Sequence, residues 1–141
     1  MEWFLDGSSV GSASRLRREI RCYLERHGAG ARPDLEAAEL VVSELLANAY
    51  DHGTGPIWVT LDWTAERPLL SVHDLGPAFE IGVVARPEQL ARRGRGLWLV
   101  SQFTTELSTA AKRAGGKVVS ARLPVPREAP PATSRRHAPG G

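Results

Sequence analysis

The stretch IWVTLDWTAERPLLSVHD, residues 57–74, decides the architecture. Ile57, Val59, Leu61 and Trp63 alternate with Trp58, Thr60 and Asp62, and a period of two marks a strand with one buried face. Glu66, Arg67 and Pro68 interrupt the pattern, and Leu70 and Val72 resume it as far as Asp74. So short a connection joins antiparallel strands, because a parallel pair needs a long crossover. A hairpin therefore sits mid-chain, and the flanking segments must build around it.

Upstream, Trp3-Phe4-Leu5 reads as a short strand. Ser14 is placed to cap a helix running to about His27, with Leu16, Ile20 and Leu24 on one face and Gly28 and Gly30 as the stop. A second helix starts near Pro33-Asp34, where a proline and an acid suit a first turn, and runs to about Asp51. Its apolar stripe is Ala38, Val41, Val42, Leu45 and Ala49.

Downstream of the hairpin, a loop bearing proline and arginine extends to Arg93. A short helix from Gly96 to about Gln102 follows, then a strand over 104–110, a Gly115-Gly116 turn and a strand over 117–123. The order β-α-α-β-β-loop-α-β-β predicts an α+β fold: a two-layer α/β sandwich with a mostly antiparallel sheet and helices on one face.

Composition bounds the function. With 141 residues, 42% hydrophobic and 24% charged, the chain fits one folded domain with a single core. That domain is expected over 1–124, and Val125 to Gly141, rich in proline, arginine and glycine, reads as a disordered tail. No apolar run is long enough to span a bilayer, and the N-terminus has no signal-peptide pattern. Cys22 is the only cysteine, which suits a cytoplasmic protein without an intrachain disulfide. The net charge of +2 lies beyond residue 124, in Arg127, Arg135 and Arg136 against Glu128. The domain itself is neutral, which argues against direct nucleic-acid binding.

Three sets of polar residues break the pattern. Glu44 and Asn48, four apart on the second helix, lie side by side at the edge of its apolar stripe. They are either a surface pair facing water or a metal-and-water site, in which an amide oxygen binds Mg2+ and a carboxylate orients or deprotonates a nucleophile. Asp74 shares a strand face with Leu70 and Val72, so it points a carboxylate at the core, with Gly76 two residues on. It either ends the strand in a simple turn or accepts a hydrogen bond from an exocyclic amine such as that of adenine. In the third set, Gly94 and Gly96 bracket Arg95 at the start of an apolar helix, beside Arg92 and Arg93. Free N–H groups and the helix dipole favour phosphate there, although arginines in a loop also serve simply as solvated charge. The surroundings lack the parallel βαβ unit of a dinucleotide fingerprint, and no Walker lysine is present. His27, His52, His73 and His137 are scattered without zinc spacing.

In this order, the three sets resemble the ATP-binding superfamily shared by gyrase-type ATPases, heat-shock chaperones, sensor histidine kinases and mismatch-repair proteins (GHKL). Glu44-x-x-x-Asn48 resembles its first motif, Asp74-x-Gly76-x-Ala78 its second and Gly94-x-Gly96-Leu97 its third. The runs Glu44–Gly53, Gly94–Val100 and Gly116–Pro124 are similar to the serine/threonine kinases of the anti-sigma regulatory branch. The resemblance covers about residues 10–124 and implies a Bergerat-type ATP-binding fold.

It also implies roles. Asn48 would ligate Mg2+ on the phosphates of ATP, and Glu44 would act as general base or orient the attacking group. Asp74 would bind the adenine amine, with Gly76 and Ala78 shaping the pocket. Gly94, Arg95, Gly96 and Leu97 would meet the phosphates, under a lid formed by 77–93. The implied partners are an anti-anti-sigma-like antagonist protein and a sigma factor or similar regulator, with a homodimer as a family expectation. A non-catalytic ATP-dependent binding module and a detached histidine-kinase ATPase domain are the alternatives. Lys117 departs from the pattern, standing where a threonine or similar hydroxyl residue is common; it either weakens nucleotide ordering or supplies a charge near the nucleotide.

Overall fold

The computed structural model describes residues 1–5, 10–52, 55–76, 99–104, 106–113 and 115–128. Its elements are β1 (Glu2–Leu5), α1 (Val10–His27), α2 (Arg32–His52), β2 (Ile57–Asp62), β3 (Leu69–Asp74), β4 (Leu107–Ala111) and β5 (Lys117–Arg122). The five strands form one sheet in the order β1-β2-β3-β5-β4, and every ladder is antiparallel. The predicted hairpin is its centre, with Val59 opposite Val72 and Leu61 opposite Leu70.

Period-two burial splits the sheet into two faces. Ile57, Val59 and Leu61 of β2, Leu70 and Val72 of β3, and Val119 and Ala121 of β5 are buried in one cluster with the inner stripes of both helices. Burial of each such side chain stabilises by about 1.5–3 kcal/mol relative to exposure, so this layer holds the α+β sandwich together. The other face carries Trp58, stacked on His73 with ring centroids 4.7 Å apart, and a Ser71–Ser120 hydroxyl contact of 2.8 Å.

The helix limits differ from the expected ones for local reasons. α1 begins at Val10, so Ser14 lies inside it and its hydroxyl accepts from the Arg17 guanidinium at 3.1 Å instead of capping. Ala13 is buried, which extends the stripe of Leu16, Ile20 and Leu24 by one more turn. α2 opens as its sequence suggests: the Asp34 carboxylate reaches back to accept from the Ala31 backbone N–H at 2.9 Å, the acidic half of a capping box.

Two further boundaries move. The strand expected over 104–110 is found at Leu107–Ala111. Thr104 holds its neighbourhood in a local turn, its hydroxyl donating to the Glu106 carbonyl and accepting from the Glu106 N–H. Of the expected 96–102 helix, residues 99–102 are described; 99–101 are helical and Gln102 is in a turn.

The domain also extends past residue 124, which corrects the start of the expected tail. Val125 is fully buried, Ala29 N–H donates to the Pro126 carbonyl and Glu128 N–H to that of His27, both within 2.9 Å. Arg127 N–H donates to the Glu66 carbonyl, and its guanidinium to that of Trp63. This segment closes the end of the core between α1 and the β2–β3 turn. The remainder of the tail, 129–141, lies outside the described residues.

Candidate functional site

Asp74 is the last residue of β3, on the inward phase with Leu70 and Val72, and is 1% exposed. Antiparallel register places it directly opposite Lys117, the first residue of β5, which is fully buried on the same face. The ammonium of Lys117 donates to both carboxylate oxygens of Asp74, each at 2.8 Å. Gly76 N–H donates to Oδ1 of the same carboxylate at 2.7 Å, an Asx-type turn that ends the strand. The Asp74-Leu75-Gly76 segment is thus the strand-ending turn of the first reading, built on a buried carboxylate.

The turn before β5 is fitted to the same strand end. Gly116 takes a φ of +84°, and a Cβ there would fall 1.9 Å from the Asp74 carbonyl oxygen. Only glycine allows this approach. On the outer side, a ring nitrogen of His73 hydrogen-bonds the Gly115 carbonyl at 3.0 Å. Asp74 is consequently held from its side chain, its backbone and the adjacent residue.

α2 packs across β3 and brings the first polar pair towards this layer. Asn48 is buried at 7% exposure, and its Oδ1 has no hydrogen-bond partner among the described residues. Glu44, one turn earlier, is half-buried. The two therefore differ in setting: Asn48 turns into the interior, and Glu44 stays at the stripe's edge.

A buried amide oxygen without a donor costs about 1–3 kcal/mol, which is offset when a cation or a ligand donor meets it. Mg2+ usually takes only one or two protein ligands, with water and phosphate oxygens completing its shell. Asn48 fits that donor set. Among the described residues no cluster of three or more His, Cys, Asp or Glu side chains suited to a metal is found.

Ala78, Gly94, Arg95, Gly96 and Leu97, together with Arg92 and Arg93 and the expected 77–93 lid, lie outside the described residues. What the sequence reading missed is the direct contact between Lys117 and Asp74. A signal was available: both residues lie on the inward phase of their strands, at the end of one and the start of another. Finding it required the further step of making those two strands neighbours.

Among the described residues, no helix is long and apolar enough to cross a membrane. Residues 8–123 match the family model described as a histidine kinase-like ATPase domain. No curated protein matches the chain.

Proposed function

Given that the chain belongs to the histidine kinase-like ATPase domain family, we propose that it binds ATP with Mg2+ and transfers the γ-phosphoryl group to a serine or threonine of a protein partner. Family membership supports the ATP-binding part. The single observation that carries the finer reading is Asn48, a buried amide whose Oδ1 has no described partner, one turn beyond the half-buried carboxylate of Glu44. That is a ligand for a cation next to a base, on a helix packed over the strand that ends in Asp74.

In this reading Asn48 Oδ1 holds Mg2+, which supplies neutralising charge to the phosphates when bound. Glu44 accepts the proton of the attacking hydroxyl as its oxygen bonds to the γ-phosphorus, and ADP leaves with the electron pair of the broken P–O bond. Backbone N–H groups near Gly94 and Gly96 bind phosphate oxygens. Phosphoryl transfer depends mostly on positioning and charge neutralisation, so a metal ligand, a base and backbone donors form a sufficient set. Asp74 supplies the acceptor for the base of the nucleotide.

The proposed partners are a small antagonist protein of the anti-anti-sigma kind, which receives the phosphate, and a sigma factor or similar regulator that the domain sequesters. A cytoplasmic setting and a homodimer belong to the same proposal. The test is incubation of the full chain with γ-labelled ATP and candidate antagonists. Label on a serine or threonine, lost in Glu44→Ala while ATP binding is kept, is the expected result. ATP binding without transfer to any candidate, with Glu44→Ala indistinguishable from wild type, overturns the kinase assignment.

A further inference from the structure

We propose that Lys117 is a specificity-determining residue: by neutralising Asp74 from inside, it lowers the site's discrimination for a base that carries an exocyclic amine. The inference deepens the nucleotide-binding reading and rests on it.

One carboxylate offers donors about four lone-pair positions. Oδ1 of Asp74 already accepts from the Lys117 ammonium and from Gly76 N–H, and Oδ2 accepts from the same ammonium. An incoming amine therefore has two routes. It takes the remaining position on Oδ2, or it displaces the ammonium from an oxygen that it holds at 2.8 Å.

Both routes weaken the contact. A hydrogen bond to an ionised acceptor is roughly twice as strong as one between neutral groups, because a full charge faces the donor. With Lys117 fully buried and Asp74 1% exposed, the ammonium and carboxylate face one another with little water to screen them. The amine then meets a neutral ion pair instead of a net negative charge. Displacing the ammonium is worse, since it strands a buried cation. A threonine at this position would have neither the charge nor the reach to do this.

The geometry makes the contact a fixed feature of the fold. Asp74 and Lys117 are cross-strand partners in the β3–β5 ladder, and Gly116 locks the start of β5 against the Asp74 carbonyl. The carboxylate cannot swing away without disturbing the strand end. Recognition of the nucleotide must then lean on the phosphate and metal contacts more than on the base.

The probes are ATP and purine riboside 5′-triphosphate, which carries hydrogen in place of the 6-amine, each titrated with Mg2+ into the full chain. In wild type the two are expected to bind within about threefold of each other, the discrimination left by a neutral hydrogen bond. In Lys117→Thr the preference for ATP is expected to rise by about tenfold or more, as the freed carboxylate regains a net charge.

A wild-type preference for ATP of tenfold or more overturns the inference, as does a Lys117→Thr ratio equal to that of wild type. If Lys117→Thr does not fold, the wild-type ratio decides alone. Binding of both triphosphates with a low ratio keeps the nucleotide reading whatever Lys117→Thr shows. Failure of both to bind to wild type and to a folded Lys117→Thr overturns the nucleotide reading and this inference with it.

Discussion

Gly116 and Asp74 meet backbone to backbone: a Cβ on Gly116 would lie 1.9 Å from the Asp74 carbonyl oxygen and 2.7 Å from the Cα of Leu75. The two constraints on Gly116, space and its φ of +84°, act together. Gly116→Ala must push β5 away from the end of β3 and also place a Cβ in left-handed backbone. The expected cost is roughly 2–4 kcal/mol, read by urea denaturation. Gly115, with φ +106° and nothing near its Cβ direction, should cost only the backbone share, so Gly115→Ala is expected to be milder.

The Asp74–Lys117 pair makes a second prediction, about stability. Removing one member of a buried pair leaves the other uncompensated and costs about 3–5 kcal/mol, whereas replacing both by apolar groups of similar volume is often neutral. Lys117→Met and Asp74→Leu are each expected to destabilise by about that amount. The double substitution should recover most of the loss. A double-mutant cycle by chemical denaturation measures the coupling, and additive losses would mean that the two charges do not compensate one another.

How much of this was legible in the sequence depends on whether the signal was local. The hairpin was readable because Ile57, Val59, Leu61, Leu70 and Val72 share a period with a short break between them. The inward aim of Asp74 was readable for the same reason. Its partner was not, because the β3–β5 pairing joins residues 43 apart, and period alone does not say which strands are neighbours. The start of α1 is not legible locally because Ser14 has the chemistry of a cap, while the small Ala13 already carries the buried stripe. The proline-rich company of Val125 points to a tail, whereas its buried side chain and the backbone hydrogen bonds of 126–128 tie the segment to the core. Residues 94–97 carry the phosphate-type motif and lie outside the described residues.

Acid should loosen the outer edge of the sheet first. Arg122 hydrogen-bonds the Glu106 carboxylate at 2.8 Å and, chiefly through that bond, holds its pKa below the ordinary value of 4.5. A lowered folded-state pKa gives stability that is present above the unfolded value and lost as pH falls through the folded one. Glu106→Gln should therefore differ from wild type at neutral pH and converge with it in acid. Amide exchange along β4 and β5, compared for the two proteins across the acid range, checks this. A difference that persists in strong acid would mean that the carboxylate's charge is not the cause.

Val125 tests the corrected domain boundary. Its side chain is fully buried and touches the position of Gly28, where an added Cβ would lie 2.5 Å from a Val125 methyl carbon. Val125→Ala is expected to cost about 1–3 kcal/mol, and Val125→Asp more, since it buries an unpaired charge. Gly28→Ala should destabilise by forcing the same two groups apart. Thermal unfolding of the three variants reads the effect. Unchanged melting in Val125→Asp would place this residue outside the core.

Asn48 separates stability from function. Its Oδ1 is buried without a partner among the described residues, so the amide is a poor choice for a core position judged by folding alone. Asn48→Ala removes the orphaned acceptor and some packing with it, and those two effects oppose each other. Stability is therefore expected to change by no more than about 1 kcal/mol. Nucleotide binding should behave differently: wild type is expected to gain about tenfold or more in ATP affinity on adding Mg2+, and Asn48→Ala to lose that gain while keeping its metal-free affinity. Calorimetric titration with and without Mg2+ reads both quantities. A large loss of stability with the Mg2+ dependence intact would make Asn48 a structural residue, and the metal ligand would have to be sought elsewhere.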